Sequence, residues 1–180
     1  MLKITPILEE HLELILKWRL TTRVSKFMTT AVRNSMTSQL KWYKSCQQKI
    51  KDGTLIQGLI AWDDKPIGFV QINDIDLKNF RASWGFYIGD EKFLGVGAII
   101  PDKIYHKAFL ELGLNKLVVE VFSSNRKVLK MHKLHGYRTV GVLKEHIMHG
   151  LDVLRDITVL ELFKKDWLKM KYPGEFEEEN

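Results

Sequence analysis

The sequence predicts a single domain of mixed α/β (α+β) class, in which helices flank a central sheet. At 180 residues with 45% hydrophobic residues, the chain can bury one sizeable core. Apolar residues follow helical spacing near the N-terminus and strand-like runs from residue 55 onward. Helical segments then return between later strand-like runs, an order that is typical of a mixed sheet.

The N-terminal third is predicted to contain a strand over residues 2–7, a helix over 9–20 and a second helix over 37–51. Apolar residues recur at helical spacing in both helices. Gly53 follows the second helix, as glycine often does at a helix C-terminus.

From residue 55 onward, short apolar runs are separated by turn residues, which predicts strands. The first three runs form a meander, and a helix, a strand, a helix and a final strand pair follow. The predicted strands are 55–62, 67–74, 82–89, 116–122, 137–150 and 152–163, and the predicted helices are 97–112 and a segment that starts near Asn125.

The charge of the chain is unevenly distributed. Its net charge is +6, yet the last six residues contain four Glu and no Lys or Arg. The more basic body favours anionic partners such as nucleotides and coenzymes, although a merely solvated basic surface is the alternative. We expect the domain to span residues 1–168, with residues 169–180 as a flexible polar, acidic tail.

Several function classes find no support in the sequence. No nucleic-acid-binding signature accompanies the basic residues, and no apolar run approaches the roughly 20 residues of a membrane span. Cys46 is the only cysteine, which excludes an internal disulfide and favours a reducing cytoplasm. The pairs His132/His135 and His146/His149 lack completing ligands, so we expect no metal, no nucleic acid and no membrane partner.

A glycine-rich segment, EKFLGVGAII over residues 91–100, lies between a predicted strand and a predicted helix. The first N–H groups of a helix have no internal partner and bind phosphate oxygens well. Gly95 and Gly97 would let the backbone approach such a group closely. The spacing matches neither a P-loop nor a dinucleotide fingerprint. It therefore indicates either a pyrophosphate loop or a simple tight turn.

The motif Lys92-x-x-Gly-x-Gly resembles the acetyl-coenzyme A (acetyl-CoA) pyrophosphate loop of the GNAT acetyltransferases, where Arg or Gln is usual at its first position. Asn125, followed by a helix and Gly136-Tyr137, resembles their second motif, and the element order is similar from residue 2 to about 167. The resemblance implies a mostly antiparallel mixed sheet with two splayed central strands, and acetyl-CoA as the acetyl donor. The coenzyme-binding residues that it implies are Phe86, Tyr87, Ile88, Lys92, Phe93, Leu94, Gly95, Val96, Gly97, Ala98 and Asn125.

A closer resemblance is to the bacterial aminosugar N-acetyltransferases of the pseudaminic-acid pathway. The stretches WRLTTRVSKFMTT (18–30), WGFYIG (84–89) and MHKLHGYRTVGVLKEHI (131–147) are similar to theirs, and Gln39 replaces a usual His. The acceptor implied is a small anionic amine, the 4-amino group of a UDP-linked 4-amino-4,6-dideoxy sugar. The implied substrate-binding residues are Arg19, Gln39, Asn73 and Trp84.

Arg19 also stands out without the resemblance, because it ends an otherwise apolar helix face. Its guanidinium fork suits a phosphate or a sugar oxygen. A surface ion pair with a residue such as Glu13 is the alternative.

Acetyl transfer requires an uncharged amine, so a base is useful. Glu120 is the one charged residue inside the strand 116–122. Alternation places it with Val118 and Phe122, and a carboxylate among apolar neighbours holds its proton more firmly, as a general base should. A strand residue paired with a lysine is the alternative.

His132 follows Asn125 by seven residues, which puts both on nearly the same face of a helix. The resemblance places His132 where many GNAT enzymes have the Tyr that protonates the coenzyme thiolate. A half-buried structural histidine is the alternative, and Asn125 can also act as a simple N-cap.

Other functions remain open from the sequence. A GNAT enzyme acting on a protein N-terminus or a polyamine is the second enzyme reading, and a CoA-binding regulator is the non-enzyme reading. A polyamine site should be rich in acidic residues, whereas residues 18–51 are mostly basic. The sequence also leaves a homodimer open.

Overall fold

The structure of the chain is a computed structural model that describes residues 1–149 and 153–173. Within them, seven strands form one sheet in the order β1-β2-β3-β4-β5-β7-β6. Neighbouring strands are antiparallel except β4 and β5, which are parallel. The strands are β1 Leu2–Thr5, β2 Leu55–Trp62, β3 Lys65–Asp76, β4 Arg81–Ile88, β5 Lys116–Phe122, β6 Arg138–Met148 and β7 Leu154–Phe163.

Helices cover both faces of this sheet. They are α1 Leu12–Leu20, α2 Thr22–Ser25, α3 Met36–Lys51, α4 Ile100–Tyr105, α5 Arg126–Leu134 and α6 Lys164–Lys171. A 3-10 turn over Glu9–His11 precedes α1, and a 3-10 segment over Glu91–Ala98 precedes α4, which continues as a π-helical turn over His106–Glu111. The predicted fold class, a mixed and mostly antiparallel sheet flanked by helices, is confirmed.

Two apolar clusters hold the helices against the sheet. On one face, Ile15 and Trp18 of α1 pack with Leu59 and Phe69. On the other face, α4 and α6 pack over the central strands in the larger cluster, to which Trp84 belongs. Burial of these side chains is the main favourable contribution to folding.

Local signals account for most of the element boundaries. The predicted strands 55–62 and 116–122 match β2 and β5. Gly53 has a left-handed φ of +70° directly after α3, a conformation that glycine adopts without strain. The helix predicted from residue 97 begins at Ile100, because residues 91–98 form 3-10 turns.

The C-terminal region departs in part from the prediction. Helix α6 continues through Lys171, so the first three residues of the predicted tail are helical. The remainder of that tail from residue 174, and the predicted strand ends at residues 150 and 152, lie outside the described residues.

The centre of the sheet is open. Strands β4 and β5 pair only at Arg81 with Lys116 and at Ala82 with Leu117. Beyond these pairs β4 continues along β3, and β5 continues along β7. The predicted splay of the central strands is therefore present, and it leaves a gap between residues 83–88 and 118–122.

Candidate active site

Two adjoining cavities lie beside β3 and β4, and the second of them is at this gap. The first, which we call the helix-side cavity, has a volume of about 780 Å³ and lies between α1, α3, β3 and β4. The second, the strand-gap cavity, has a volume of about 760 Å³ and lies between β4, β5 and the start of α5. Six residues line both cavities and form their boundary: Met28, Phe69, Gln71, Asn73, Asp74 and Tyr87.

The helix-side cavity contains polar groups that lack protein partners. Arg19 Nη2 donates to Thr30 Oγ1 at 2.9 Å, and the guanidinium lies 6.0 Å from the Trp42 ring, but Nε has no partner within the described chain. Burial lowers the pKa of Arg19. The predicted alternative, an ion pair with Glu13, does not form; Arg19 bonds Thr30 instead.

Gln39 adds a second unsatisfied donor to this cavity. Its side chain on α3 is only 3% exposed, yet Nε2 has no hydrogen-bond partner among the described residues. A buried polar group without a partner costs roughly 1–3 kcal/mol. Such groups therefore mark a place where a ligand or ordered water supplies the missing acceptors.

Tyr87, which the resemblance assigns to the coenzyme, lines both cavities, and its ring packs on the helix side of the sheet. Its ring stacks on Phe69 at 5.5 Å and meets the edge of Trp18 at 6.4 Å. The hydroxyl is buried without a partner in the described part of the chain, and burial raises its pKa. Alternation along β4 explains this placement, because Trp84 and Phe86 project from the opposite face.

The charge of the helix-side cavity is predominantly positive. Four of its lining residues are cationic and one, Asp74, is acidic. The cationic residues are Arg19, Arg33, Lys41 and Lys49.

The strand-gap cavity brings together six of the predicted site residues: Asn73, Trp84, Phe86, Tyr87, Glu120 and Asn125. Glu120 is on the predicted strand face, but it is exposed, because β4 has moved away from β5 at this level. The apolar surroundings expected for this carboxylate are therefore absent. Asn125 Oδ1 accepts the Val128 N–H at 3.4 Å, so the residue caps α5 and also lines the cavity.

The glycine loop lies beside β4. Neither Gly95 nor Gly97 has a left-handed φ. A Cβ at Gly95 would meet no heavy atom within 4 Å, and one at Gly97 would make ordinary contact with Phe86 at 3.4 Å. Because neither packing nor φ requires glycine here, the open space at the loop fits a ligand that approaches the backbone.

Two of the residues that the resemblance assigns to the coenzyme make contacts within the protein. Phe93 packs against Trp62 at 6.4 Å, with Lys65 Nζ 5.4 Å from its ring, so its side chain is engaged within the protein. The carbonyl of Ile88 accepts from Arg23 Nη1 at 2.8 Å, which occupies one of its two lone pairs.

His132 lies in the core rather than at a cavity wall. It is 4% exposed, and its ring contacts Trp84 at 5.6 Å and Tyr137 at 4.7 Å. Burial, and then the nearby His135, lower the pKa of His132 to about 4. The ring is thus neutral at pH 7, whereas a histidine that protonates a thiolate does so best as the imidazolium.

Tyr137 connects this core cluster to the cavity wall. Its hydroxyl accepts the Trp84 Nε1–H at 2.6 Å, and Trp84 stacks on Phe86 at 5.9 Å. The predicted substrate residue Trp84 is therefore also a core residue held by a buried hydrogen bond.

Sequence reasoning missed Asp74, the acidic residue at the boundary of both cavities. Its φ of +52° is left-handed, and it lies where the pairing of β3 with β4 shifts register. The alternation of β3 carries no sign of this irregularity, so only the neighbouring Asn73 had been singled out.

Two classes of site find no match among the described residues. No helix there combines the length and hydropathy that a membrane span needs. No group of three or more His, Cys, Asp or Glu side chains in that part of the chain could hold a metal ion.

Comparison with known proteins assigns this architecture to a family. The profile of the acetyltransferase (GNAT) domain matches residues 7–144. The chain belongs to the GNAT acetyltransferase family, and it is an acetyl-CoA-dependent N-acetyltransferase.

Two named acetyltransferases are similar in sequence to most of this chain. Acetyltransferase PseH of Campylobacter jejuni strain 81-176 is 30% identical over 129 residues, which cover 72% of this chain and 78% of that protein. PseH of strain NCTC 11168 is 30% identical over 125 residues, covering 69% and 74%.

Solved structures agree on the fold. The spermidine N-acetyltransferase of Vibrio cholerae in complex with CoA and spermine superposes with a TM-score of 0.81 at 17% identity, over 93% of this chain and 98% of that one. A probable acetyltransferase superposes with a TM-score of 0.80 at 19% identity, over 92% and 94%. At these identities the likeness concerns the fold alone.

Proposed function

We propose that the acceptor of this N-acetyltransferase is the 4-amino group of a UDP-linked 4-amino-4,6-dideoxy sugar. One observation carries the proposal. The helix-side cavity is cationic, and its buried unsatisfied atoms at Arg19 and Gln39 are hydrogen-bond donors. A ligand that satisfies them must supply acceptor oxygens, as phosphates, hydroxyls and carbonyls do.

A polyamine is the competing acceptor, because structural neighbours include spermidine N-acetyltransferases. Protonated polyamines carry only donors and positive charge. They would meet Arg19, Lys41 and Lys49 across a cavity that has one carboxylate, and like charges at short range repel. The 30% identity to the two PseH acetyltransferases further supports the aminosugar group that the sequence resembles.

In the proposed reaction the neutral amine attacks the carbonyl carbon of the thioester. A C–N bond forms, the C–S bond breaks, and the sulfur leaves as a thiolate. The nitrogen gives up one proton and the thiolate gains one. Glu120 is exposed at the wall of the strand-gap cavity, so it can take the amine proton directly or through water.

For His132, proton donation to the thiolate stays a prediction without support from its placement. The neutral, buried ring beneath Trp84 favours the structural alternative. The glycine loop would hold the pyrophosphate through its backbone, and acetyl-CoA supplies the activated acetyl group when bound.

The test is the release of CoA from acetyl-CoA with three acceptors: a UDP-4-amino-4,6-dideoxy sugar, spermidine and a peptide with a free N-terminus. We expect turnover with the aminosugar. Replacing both Lys41 and Lys49 with Ala should raise the KM for it about tenfold or more, because two favourable charges are lost. Lys17→Ala, an exposed change on α1 outside both cavities, is the control.

If the acceptor is a polyamine, loss of the two lysines should not raise its KM. The same double variant would then leave the KM for spermidine unchanged or lower it. Turnover with spermidine or the peptide, and none with the aminosugar, would contradict the proposal.

A further inference from the structure

A β-bulge places Asp74 at the boundary between the two cavities. Asn73 pairs with Ser83, whereas the next pair is Asp76 with Arg81, so three steps on β3 oppose two on β4. Such a bulge inserts one extra residue and re-aims side chains. Strict alternation would put residue 74 on the face of Ile72, which is buried in the core.

The bulge brings two consecutive residues to the same side of the sheet. Asn73 and Asp74 both line both cavities, while Ile72 and Ile75 on either side of them are buried. The φ of +52° at Asp74 belongs to the left-handed region, which non-glycine residues rarely adopt. Such backbone outliers cluster at functional sites.

The carboxylate of Asp74 is oriented but not neutralised. Asn73 Nδ2 donates to Asp74 Oδ2, and Gln71 Nε2 donates to Asn73 Oδ1 at 3.5 Å. Within the described chain, the one side-chain hydrogen bond to the Asp74 carboxylate reaches Oδ2, so Oδ1 accepts none, and no cationic side chain pairs with Asp74.

Three arginines near the boundary each bond a group other than Asp74, although Arg19 Nε is left unpaired in the described chain. Arg81 pairs with Asp76, and Arg23 pairs with Glu91 and two backbone carbonyls. Arg19 bonds Thr30. The boundary therefore keeps one uncompensated carboxylate beside a cavity that is otherwise cationic.

We propose that Asp74 is the acceptor-binding residue that accepts a hydrogen bond from the reacting amine and orients its lone pair toward the strand gap. This inference rests on the proposed function, because it assigns a separate binding partner to each end of the proposed acceptor. Its oxygen-rich part faces Arg19 and Gln39, and its amine faces Asp74. Asp74 takes no proton in this step, because Glu120 or water takes the proton that the nitrogen loses. Asn73 then acts through Asp74, as a positioning residue.

The experiment compares two ligands that differ in one group. Calorimetric titration at pH 7 would measure binding of a UDP-4-amino-4,6-dideoxy sugar and of its 4-hydroxy counterpart. Each ligand is titrated into the full-length chain, into Asp74→Asn and into Asp64→Asn. Asparagine tolerates left-handed φ, so both variants preserve the backbone. Asp64 is a matched control because it is also exposed and left-handed, with φ of +63°, and it lies outside both cavities.

We expect the unmodified chain to bind the amine about 10-fold or more tightly than the alcohol, as hydrogen bonds to charged groups commonly allow. Asp74→Asn should abolish this preference, leave binding of the alcohol unchanged and lower kcat/KM for the amine. Asp64→Asn should keep the preference. A purely structural role for Asp74 would weaken both ligands equally.

Three outcomes would overturn the inference: no preference for the amine in the unmodified chain, which includes failure to bind either sugar; a preference that survives in Asp74→Asn; or equal weakening of both ligands. Failure of the proposed function is seen separately. It is shown when acetyl transfer to the aminosugar is absent although the amine is still bound with a preference that Asp74→Asn removes.

Discussion

The buried His132 should make this enzyme less stable at acidic pH, and replacing this residue should remove that part of the pH dependence. Its ring is enclosed by Trp84 and Tyr137, and its Nδ1 has no partner within the described chain. The substitution His132→Phe keeps an aromatic ring in contact with both neighbours and removes the titratable group.

The magnitude follows from the pKa of about 4 in the folded chain and about 6.5 in the unfolded chain. Above pH 6.5 both states are deprotonated and His132 has no effect. As the pH falls below 6.5 the unfolded state binds the proton first, so stability decreases until the pH passes about 4. At pH 4.5 the loss is about 2.5 kcal/mol, and the full loss is about 3.4 kcal/mol at 1.36 kcal/mol per pKa unit.

Urea unfolding at pH 7.5 and pH 4.5 would measure this effect. Carboxylates with a lowered pKa, such as those of Asp156 and Glu161, also reduce the stability of the fold as the pH falls. They do so equally in the unmodified chain and in His132→Phe. The difference between the unmodified chain and His132→Phe isolates His132. We expect the unmodified chain to lose about 2.5 kcal/mol more than the variant. His146→Phe, at an exposed position of β6, should behave like the unmodified chain. Equal losses in the unmodified chain and His132→Phe would refute the reasoning.

Two further substitutions test the glycine loop and the tyrosine behind the cavity wall. Gly95→Val should raise the KM for acetyl-CoA at least about tenfold while steady-state kinetics show an unchanged KM for the amine. The added Cβ at residue 95 meets no protein atom, so the free energy of unfolding should change by no more than about 0.5 kcal/mol. Gly141→Val, at an equally open position on β6, is the control. An unchanged KM for acetyl-CoA in Gly95→Val would contradict the argument that the loop binds the coenzyme. Tyr137→Phe removes the acceptor of the buried Trp84 Nε1–H and should cost about 1–3 kcal/mol in urea unfolding. Tyr43→Phe, whose longer bond to a backbone carbonyl is only part-buried, should cost less, and equal costs would count against the argument.

Local patterns were sufficient for much of the fold. Apolar runs bounded by turn residues predicted β2 and β5 to the residue, because strand formation there follows from burial on the pleated sheet. Gly53 and Asn125 were read correctly as helix-terminal residues, since capping depends on neighbouring backbone groups.

The site was predicted less well, because its character depends on strands that are distant in sequence. Alternation gave the correct face for Glu120, but its exposure arises from the departure of β4 after Ala82. Helical spacing related His132 to Asn125, but only the packing of Trp84 reveals how deeply the histidine lies. The bulge that turns Asp74 toward the cavities breaks the alternation on which the strand prediction relied.

The central seam of the sheet has a consequence for the lifetime of the enzyme in the cell. Two residue pairs connect β4 to β5. We therefore expect a coenzyme arm bound in the gap to hold the β1–β4 and β5–β7 parts of the sheet together for as long as it is bound. Ligand at 100 times its Kd adds about 2.7 kcal/mol to the free energy of unfolding. When acetyl-CoA and CoA become scarce, a larger fraction of the chains would open and be degraded, and enzyme abundance would follow the metabolic supply.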